Sequence, residues 1–187
     1  MEIVLIRHTT PKIEKGICYG QLNVDVRDTF ENEVIAIKRQ ISNYSFDAIY
    51  SSPLLRCYKL ASKIGNPIFL NSKLKELNFG DWENKAWNTI DEKEINPWME
   101  NFVNKRPTNG ESYIELQNRA VKFLNTLINE DIKSVAIICH AGTIRALLAY
   151  MLNVDLKNSF DFKIEYGQVI NISFKNNTFK VISGLHQ

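Results

Sequence analysis

The chain has 187 residues, of which 44% are hydrophobic and 24% are charged, with 23 Lys and Arg against 21 Asp and Glu. This size and composition predict a single domain over residues 1–187 that folds without a disulfide or metal staple. The two signs of charge alternate along the sequence, which disfavours a nucleic-acid partner. The sequence holds no membrane-spanning apolar run and no basic leader before the opening segment, so we expect no membrane partner and a cytoplasmic location.

Apolar β-branched runs alternate with amphipathic segments along the chain. In chain order we expect a strand at 3–6, a helix at 30–41, a strand at 47–50, a helix at 52–64 and a short strand at 67–70. After a loop-like stretch at 71–83 we expect a weakly patterned helix at 88–104, a helix beginning after Ser112, a strand at 134–139 and a helix at 142–152. Two strand-like runs at 169–174 and 179–183 close the chain, separated by a turn at Asn176-Asn177.

Three sequence signals mark where these helices begin. Asp28-x-x-Glu31 and Ser112-x-x-Glu115 each have the spacing of a capping box. Ser52-Pro53 has the form of an N-cap followed by the first helical residue.

Continuously apolar strands that alternate with helices are typical of a sheet buried on both faces. We therefore predict an α/β fold, a three-layer α/β/α sandwich whose central sheet is mostly parallel. The closing pair of strands predicts an antiparallel element at one edge of that sheet.

Two histidines follow predicted strands. His8 comes two residues after the first strand, and His140 directly follows the strand at 134–139. Ligands of parallel α/β sheets bind beyond the carboxyl ends of the strands. Either histidine alone is more simply a structural hydrogen-bonding residue, but two at equivalent strand ends favour a functional site.

Two arginines are candidates for the same site. Arg7 directly precedes His8, and Arg56 lies in the first turn of a predicted helix, where a cation opposes the helix dipole. A surface salt bridge would explain Arg7, and a tolerated surface cation would explain Arg56. Both could also converge on a phosphate group together with the helix N-terminus near Gly142. In that case an imidazole can attack phosphorus, and Glu76 is a candidate for the proton donor. A solvated loop carboxylate is the simpler interpretation of Glu76.

Four segments together resemble the histidine phosphatase superfamily, also called the phosphoglycerate mutase-like family. They are Leu5-Ile6-Arg7-His8-Thr9, the stretch from Tyr50 to Cys57, the stretch from Glu76 to Glu83, and the stretch from Cys139 to Arg145, in the order of the family. Gly110-Glu111-Ser112 also resembles a helix-opening segment of its smaller phosphatases. The resemblance implies that His8 is the phosphorylated nucleophile, that Glu76 is the proton donor, and that Arg7, Arg56 and His140 form the phosphate pocket.

Within the superfamily, the stretches from Arg7 to Pro11 and from Gly16 to Gln21 resemble the α-ribazole phosphatases, which remove a 5′-phosphate late in cobalamin assembly. Asn23 stands where an acidic residue is common in that subfamily. The resemblance implies a small phosphate ester as substrate, bound by Thr9, Tyr19, Gly20, Gln21, Ala141 and Gly142. A phosphoglycerate mutase, a broad-specificity phosphatase and a non-catalytic phosphate-binding module are the alternatives.

We expect neither a metal nor another cofactor. The three cysteines, Cys18, Cys57 and Cys139, lack CxxC spacing, and three histidines are too few for a multi-histidine centre. Packing explains the cysteines more simply than a redox switch does. The three tryptophans suit either a substrate wall or the core; they are Trp82, Trp87 and Trp98.

Overall fold

The structure is a computed structural model that describes residues 1–185, so His186 lies outside the described part of the chain. Its strands are β1 (Glu2–Arg7), β2 (Ala48–Ser51), β3 (Ile68–Leu70), β4 (Ser134–Cys139), β5 (Val169–Lys175) and β6 (Thr178–Ser183). Its α-helices are α1 (Phe30–Gln40), α2 (Leu55–Ile64), α3 (Glu92–Glu100), α4 (Tyr113–Leu127) and α5 (Ala141–Met151). Short 3₁₀ segments lie at Ser72–Leu74, Gly80–Trp82, Trp87–Thr89 and Leu156–Asp161.

The six strands form one mixed sheet in the order β3-β2-β4-β1-β5-β6. The first four strands along the chain pair in parallel, whereas β5 and β6 are antiparallel and occupy one edge. This confirms the predicted sheet, including its antiparallel edge element.

Alternate residues of β1 pack into opposite layers. Ile3 and Leu5 join the cluster that holds the apolar faces of α4 and α5. Val4 and Ile6 join the cluster built on α1 and α2. The central strand is therefore buried on both sides, as its uninterrupted apolar sequence requires, and the predicted three-layer α/β/α sandwich is confirmed.

Two predicted helix starts differ from the structure. The capping box at Asp28 and Glu31 does not form, because α1 begins after Thr29, whose hydroxyl donates to the Glu33 carboxylate at 2.5 Å. Helix α2 begins after Leu54 rather than at Ser52. The first helical N–H, that of Leu55, instead donates to the Asn23 side chain at 2.7 Å. The Ser112 start is correct, since the Glu115 carboxylate accepts from the Ser112 N–H at 2.9 Å.

The segment between β3 and α4 is the least regular part of the chain. The helix predicted at 88–104 is reduced to α3 and the 3₁₀ turn before it. The loop predicted at 71–83 contains two 3₁₀ turns. The segment packs through aromatic side chains rather than a continuous helical stripe, which explains why the helical pattern there is weak. No helix within residues 1–185 is long and apolar enough to cross a bilayer.

Candidate active site

The parallel pairing of β1 with β4 brings the two predicted histidines together. Arg7 and Cys139 are partners in the register of these strands, so the residues that follow them, His8 and His140, leave the sheet side by side. Their ring centroids lie 5.1 Å apart. Both are almost completely buried, with 1% of His8 and none of His140 exposed.

The two ring nitrogens of His8 have different partners. Nδ1 lies 2.7 Å from the backbone carbonyl oxygen of Thr9, which can only accept, so Nδ1 carries the proton. The Nε–H of Arg56 points at Nε2 from 3.3 Å. Burial lowers the pKa of His8 well below its usual value, and the charges of Arg56 and Arg7 lower it further. His8 is therefore a neutral imidazole near pH 7, with the lone pair of Nε2 facing the arginine.

Arg56 is completely buried in the first turn of α2. Its Nη1 and Nη2 donate to the carbonyl oxygens of Leu22 and Gly20, each at 2.7 Å. The loop after β1 thus supplies the polar partners that offset burial of the charge. Gly20 has a positive φ of 28°, and a Cβ there would clash with the Glu83 carboxylate, so this turn requires glycine.

Arg7 is held by the segment of residues 164–166, which comes before β5. Its Nη1 donates to the carbonyl oxygen of Ile164 at 2.7 Å. Its guanidinium carbon lies 3.6 Å from the ring centroid of Tyr166. The Tyr166 hydroxyl is 3.0 Å from that of Tyr19. Tyr166 was missed by the sequence analysis because it lies in an unpatterned turn, 158 positions along the chain from His8.

His140 is held by residues at the start of α2. Its Nε2 lies 2.8 Å from the Ser52 hydroxyl and 3.5 Å from the Cys57 sulfur. Burial lowers the pKa of His140 well below its usual value, and the charge of Arg56 lowers it further. Ser52 therefore contacts His140 instead of capping α2 as predicted.

Glu76 reaches the same edge of the sheet from the loop after β3. Its Oε2 accepts from the backbone N–H of Gly142 at 3.0 Å, at the start of α5, and its Oε1 accepts from the N–H of Leu77 at 3.0 Å. The carboxyl group is thus fixed by two backbone N–H donors, one of them at the N-terminus of α5. Since a Cβ on Gly142 would clash with Oε1, only glycine fits this contact.

A cavity of about 210 Å³ opens beside Glu76 and Arg7. Of the predicted binding residues, Tyr19, Gly20, Ala141 and Gly142 line it. Thr9 and Gln21 have other contacts: the Thr9 carbonyl accepts from His8, and the Gln21 side chain donates to the Glu76 carbonyl at 2.9 Å.

Most of the cavity wall is formed by apolar side chains. These residues are Ile17, Cys18, Leu77, Phe79, Trp87, Trp98, Phe102, Tyr113 and Phe160. Trp87 and Trp98 thus line the cavity, whereas Trp82 belongs to the core, with 1% of its surface exposed.

Arg145 also lines the cavity, although the sequence analysis did not assign it. It follows Gly142 by three positions on α5, so both lie on one face of the helix. Its Nε donates to the carbonyl oxygen of Phe162 at 2.9 Å, and burial lowers its pKa. Helical spacing from the motif residue Gly142 was the signal that could have identified it.

The cysteines and the acidic residues do not form a metal site. Residues 1–185 contain no group of three or more His, Cys, Asp and Glu side chains arranged to hold a metal ion. Cys18, Cys57 and Cys139 are all buried and free. Burial raises the pKa of both Cys18 and Cys57 to about 12, so both are thiols near pH 7.

Two buried histidines, with Arg7 and Arg56 beside them, thus lie at the carboxyl ends of parallel strands in an α/β/α sandwich. The chain belongs to the histidine phosphatase superfamily (branch 1), whose family model matches residues 3–184. The predicted family is therefore confirmed, and the members of this superfamily are phosphatases.

Individual relatives are more distant. The chain is 27% identical over 179 residues to a putative phosphoserine phosphatase 2 of Hydrogenobacter thermophilus, with 91% of this chain and 88% of that protein covered. It is 23% identical over 195 residues to the adenosylcobalamin/α-ribazole phosphatase of Escherichia coli, with 98% and 96% covered. The crystal structure of the α-ribazole phosphatase from Shigella flexneri shares the fold, with a TM-score of 0.92 and 21% identity over 100% of this chain and 96% of that one.

Proposed function

We propose that this chain hydrolyses phosphate monoesters through a phosphohistidine at His8, and that its natural substrate is α-ribazole 5′-phosphate. The observation that carries the substrate assignment is the aromatic cavity beside Glu76. The observations that support the chemistry are the tautomer of His8 and the arrangement of charge around it.

In the first step the lone pair of His8 Nε2 attacks phosphorus. The proton on Nδ1 stays hydrogen-bonded to the Thr9 carbonyl, which leaves Nε2 as the only nucleophilic nitrogen of the ring. The bond between phosphorus and the ester oxygen breaks as the bond from Nε2 to phosphorus forms. A histidine kept neutral by burial needs no base to deprotonate it before the attack.

The phosphate pocket consists of Arg7, Arg56 and His140. The Nε of Arg7 is buried and has no hydrogen-bond partner within residues 1–185. An unpaired buried donor is costly, and a phosphate oxygen would satisfy it. When phosphate binds between His8 and Arg56, the Nε–H of Arg56, now 3.3 Å from His8 Nε2, would donate a charge-assisted hydrogen bond to a phosphate oxygen and leave the Nε2 lone pair facing phosphorus. The arginines then stabilise the charge that develops on the equatorial oxygens.

Glu76 moves the proton in both steps. As a carboxylic acid it protonates the departing alkoxide, and as a carboxylate it takes a proton from the water that attacks phosphohistidine. Cleavage of the bond from Nε2 to phosphorus then releases inorganic phosphate and restores neutral His8. The backbone N–H groups of Leu77 and Gly142 keep the carboxyl at one place through the cycle.

The cavity favours an uncharged, aromatic leaving group. α-Ribazole carries a flat aromatic base on its ribose, which suits rings such as those of Trp87 and Trp98. A phosphoserine leaving group needs partners for both an ammonium and a carboxylate. Beyond Arg7 and Glu76, the cavity wall offers a single ionised partner, Arg145. This assignment places the chain in cobalamin assembly, and we propose the cytoplasm as its location.

Mutase activity is less well supported. A mutase needs further cations to hold a second phosphate, and beyond Arg7 the cavity wall supplies one, Arg145. The basic pair between Glu76 and His140 is Lys105-Arg106, and the Nε of Arg106 donates to the Glu115 carboxylate at 2.7 Å. A non-catalytic module would be expected to have lost at least one of the five residues assigned to the reaction, and all five are present.

The test compares esters with different leaving groups. Release of phosphate is measured from α-ribazole 5′-phosphate, phosphoserine, 3-phosphoglycerate and p-nitrophenyl phosphate. We expect the highest kcat/KM among the alkyl esters for α-ribazole 5′-phosphate, and no turnover or phosphohistidine in His8→Ala. Glu76→Gln should lose about 10²–10⁴-fold on the alkyl ester and much less on the aryl ester, whose leaving group needs no proton.

The matched control is Glu130→Gln, at an exposed carboxylate on another part of the surface that accepts from the Tyr50 hydroxyl at 3.0 Å. Equal losses of Glu76→Gln on both kinds of ester would remove the proton-transfer role. Preference for 3-phosphoglycerate with transfer of the phosphoryl group between its positions would identify a mutase.

A further inference from the structure

Arg119 lies on α4, outside every segment assigned above to the reaction. All five of its N–H donors are used. Nε and Nη2 form a bidentate pair with the Glu111 carboxylate, at 3.0 and 2.6 Å. The remaining donors go to backbone carbonyl oxygens of one short segment: Nη1 to Lys73 and Lys75, both at 2.7 Å, and Nη2 to Glu76 at 2.9 Å.

These contacts converge on the segment that presents Glu76. Glu111 extends the same support beyond Glu76, because its Oε1 accepts from the Asn78 N–H at 2.9 Å. The Thr143 hydroxyl donates to the Lys75 carbonyl at 2.9 Å. The backbone around Glu76 is therefore tied to Arg119 of α4, to Glu111 just before that helix and to Thr143 of α5, while its carboxylate is tied to the first turn of α5.

Apart from these contacts, the segment is held by the buried side chain of Leu74 and by the Gln21 amide, which donates to the Glu76 carbonyl at 2.9 Å. It contains only a single 3₁₀ turn, at Ser72–Leu74, and no sheet pairing reaches it after Leu70. Three carbonyl oxygens in four residues accept from one guanidinium. The side chains of Arg119 and Glu111 are only 20% and 18% exposed, and a planar fork with five donors cannot be reproduced by another side chain.

We propose that Arg119 is a positioning residue for Glu76: its guanidinium fixes the backbone at residues 73–76 and thereby holds the carboxyl at the distance needed for proton transfer to the leaving group. The proposal rests on the function assigned to Glu76 above. Arg119 touches no substrate atom and acts only through Glu76. A displacement of about 1 Å at a reacting group costs roughly 10² in rate, so a loosened segment is enough to impair the proton transfer.

The test uses Arg119→Met, which keeps a similar stem and removes all five donors. On α-ribazole 5′-phosphate, or on whichever alkyl ester the wild type hydrolyses fastest, we expect kcat to fall by about 10- to 100-fold with little change in KM. On p-nitrophenyl phosphate we expect turnover close to the wild type. Arg119→Lys should recover part of the loss, since it can still donate to some of the carbonyls.

A double variant separates positioning from stability. Arg119→Met combined with Glu76→Gln should be no slower on the alkyl ester than Glu76→Gln alone, because both changes remove one function. The matched control is Arg106→Met, which removes an exposed arginine paired with Glu115 at the start of the same helix. It should leave both activities unchanged.

The outcomes that overturn the proposal differ from those that overturn the proposed function. Equal losses of Arg119→Met on both kinds of ester, or additive losses in the double variant, would make Arg119 a purely structural residue while leaving Glu76 in its role. If Glu76→Gln itself fails to distinguish the esters, both assignments fall. Circular dichroism and thermal melting establish folding first. If Arg119→Met does not fold, Glu111→Gln and Arg119→Lys are subjected to the same comparison.

Discussion

Gly142→Ala adds one methyl group at the contact between α5 and Glu76. A Cβ at this position would lie 3.2 Å from the Glu76 carboxyl carbon and clash outright with Oε1. Relief of that clash needs a carboxyl shift of about 1 Å, and a misplacement of that size costs roughly 10² in rate. We therefore expect kcat on an alkyl phosphate to fall by about 100-fold, with a much smaller loss on p-nitrophenyl phosphate.

The same substitution should not weaken the fold. Alanine is favoured over glycine in a helix by up to about 1 kcal/mol, and the clash is with the end of a movable side chain rather than with backbone. Urea denaturation should thus give a free energy of unfolding at or near that of the wild type. Activity and stability are expected to change independently.

Gly65→Ala is the matched control, because its Cβ would meet only Ile49 Cδ1, at 3.3 Å and remote from the site. It should leave both activities within a factor of two or so of the wild type. If the Gly142→Ala variant hydrolysed the alkyl ester with the same kcat as the wild type, the reasoning would be refuted. Equal loss on alkyl and aryl esters would show that the methyl group disturbs the phosphate pocket rather than Glu76.

Three further predictions concern charge. Because folded His8 and His140 have lowered pKa values, the unfolded chain binds more protons than the folded chain below pH 6.5. The free energy of unfolding should therefore fall as pH drops from 6.5 to 5, by up to about 1.4 kcal/mol per pH unit for each histidine. Urea melts at several pH values measure this, and a His140→Asn variant whose unfolding free energy changes with pH as steeply as that of the wild type would contradict it. Tyr166→Leu removes a cation–π contact worth about 0.5–2 kcal/mol and should weaken binding of inorganic phosphate, measured by calorimetry, whereas Tyr166→Phe should not; equal Kd values for the two variants would refute it. Chelation should leave turnover unchanged, since the arginines supply the positive charge, and recovery of a lost activity by a divalent ion would count against this.

The paired histidines could be predicted because they depend on local patterns. Buried strands leave unbroken apolar runs in the sequence, and parallel strands end at one edge of the sheet, so His8 and His140 were expected to meet. The strand register then determined how closely they meet. The position of Arg56 in the first turn of α2 was also visible from the sequence.

Contacts between distant parts of the chain could not be predicted. Nothing near Tyr166 signals that its ring lies over Arg7, and nothing near Asn23 signals that it caps α2. Ser52 misled the prediction because a serine before proline is typical of an N-cap, whereas its hydroxyl lies against His140. Such contacts depend on tertiary packing and leave no periodic trace in the sequence.

The contacts of Arg7 with Ile164 and Tyr166 have a consequence for how activity arises during folding. The Ile164 carbonyl that accepts from Arg7 comes from a residue 157 positions further along the chain. A folding intermediate with β1 and β4 paired but residues 164–166 not yet docked would hold His8 and His140 side by side and leave Arg7 unrestrained. Pairing of β1 with β4 is therefore not sufficient for activity, which also requires residues 164–166 to be docked against Arg7.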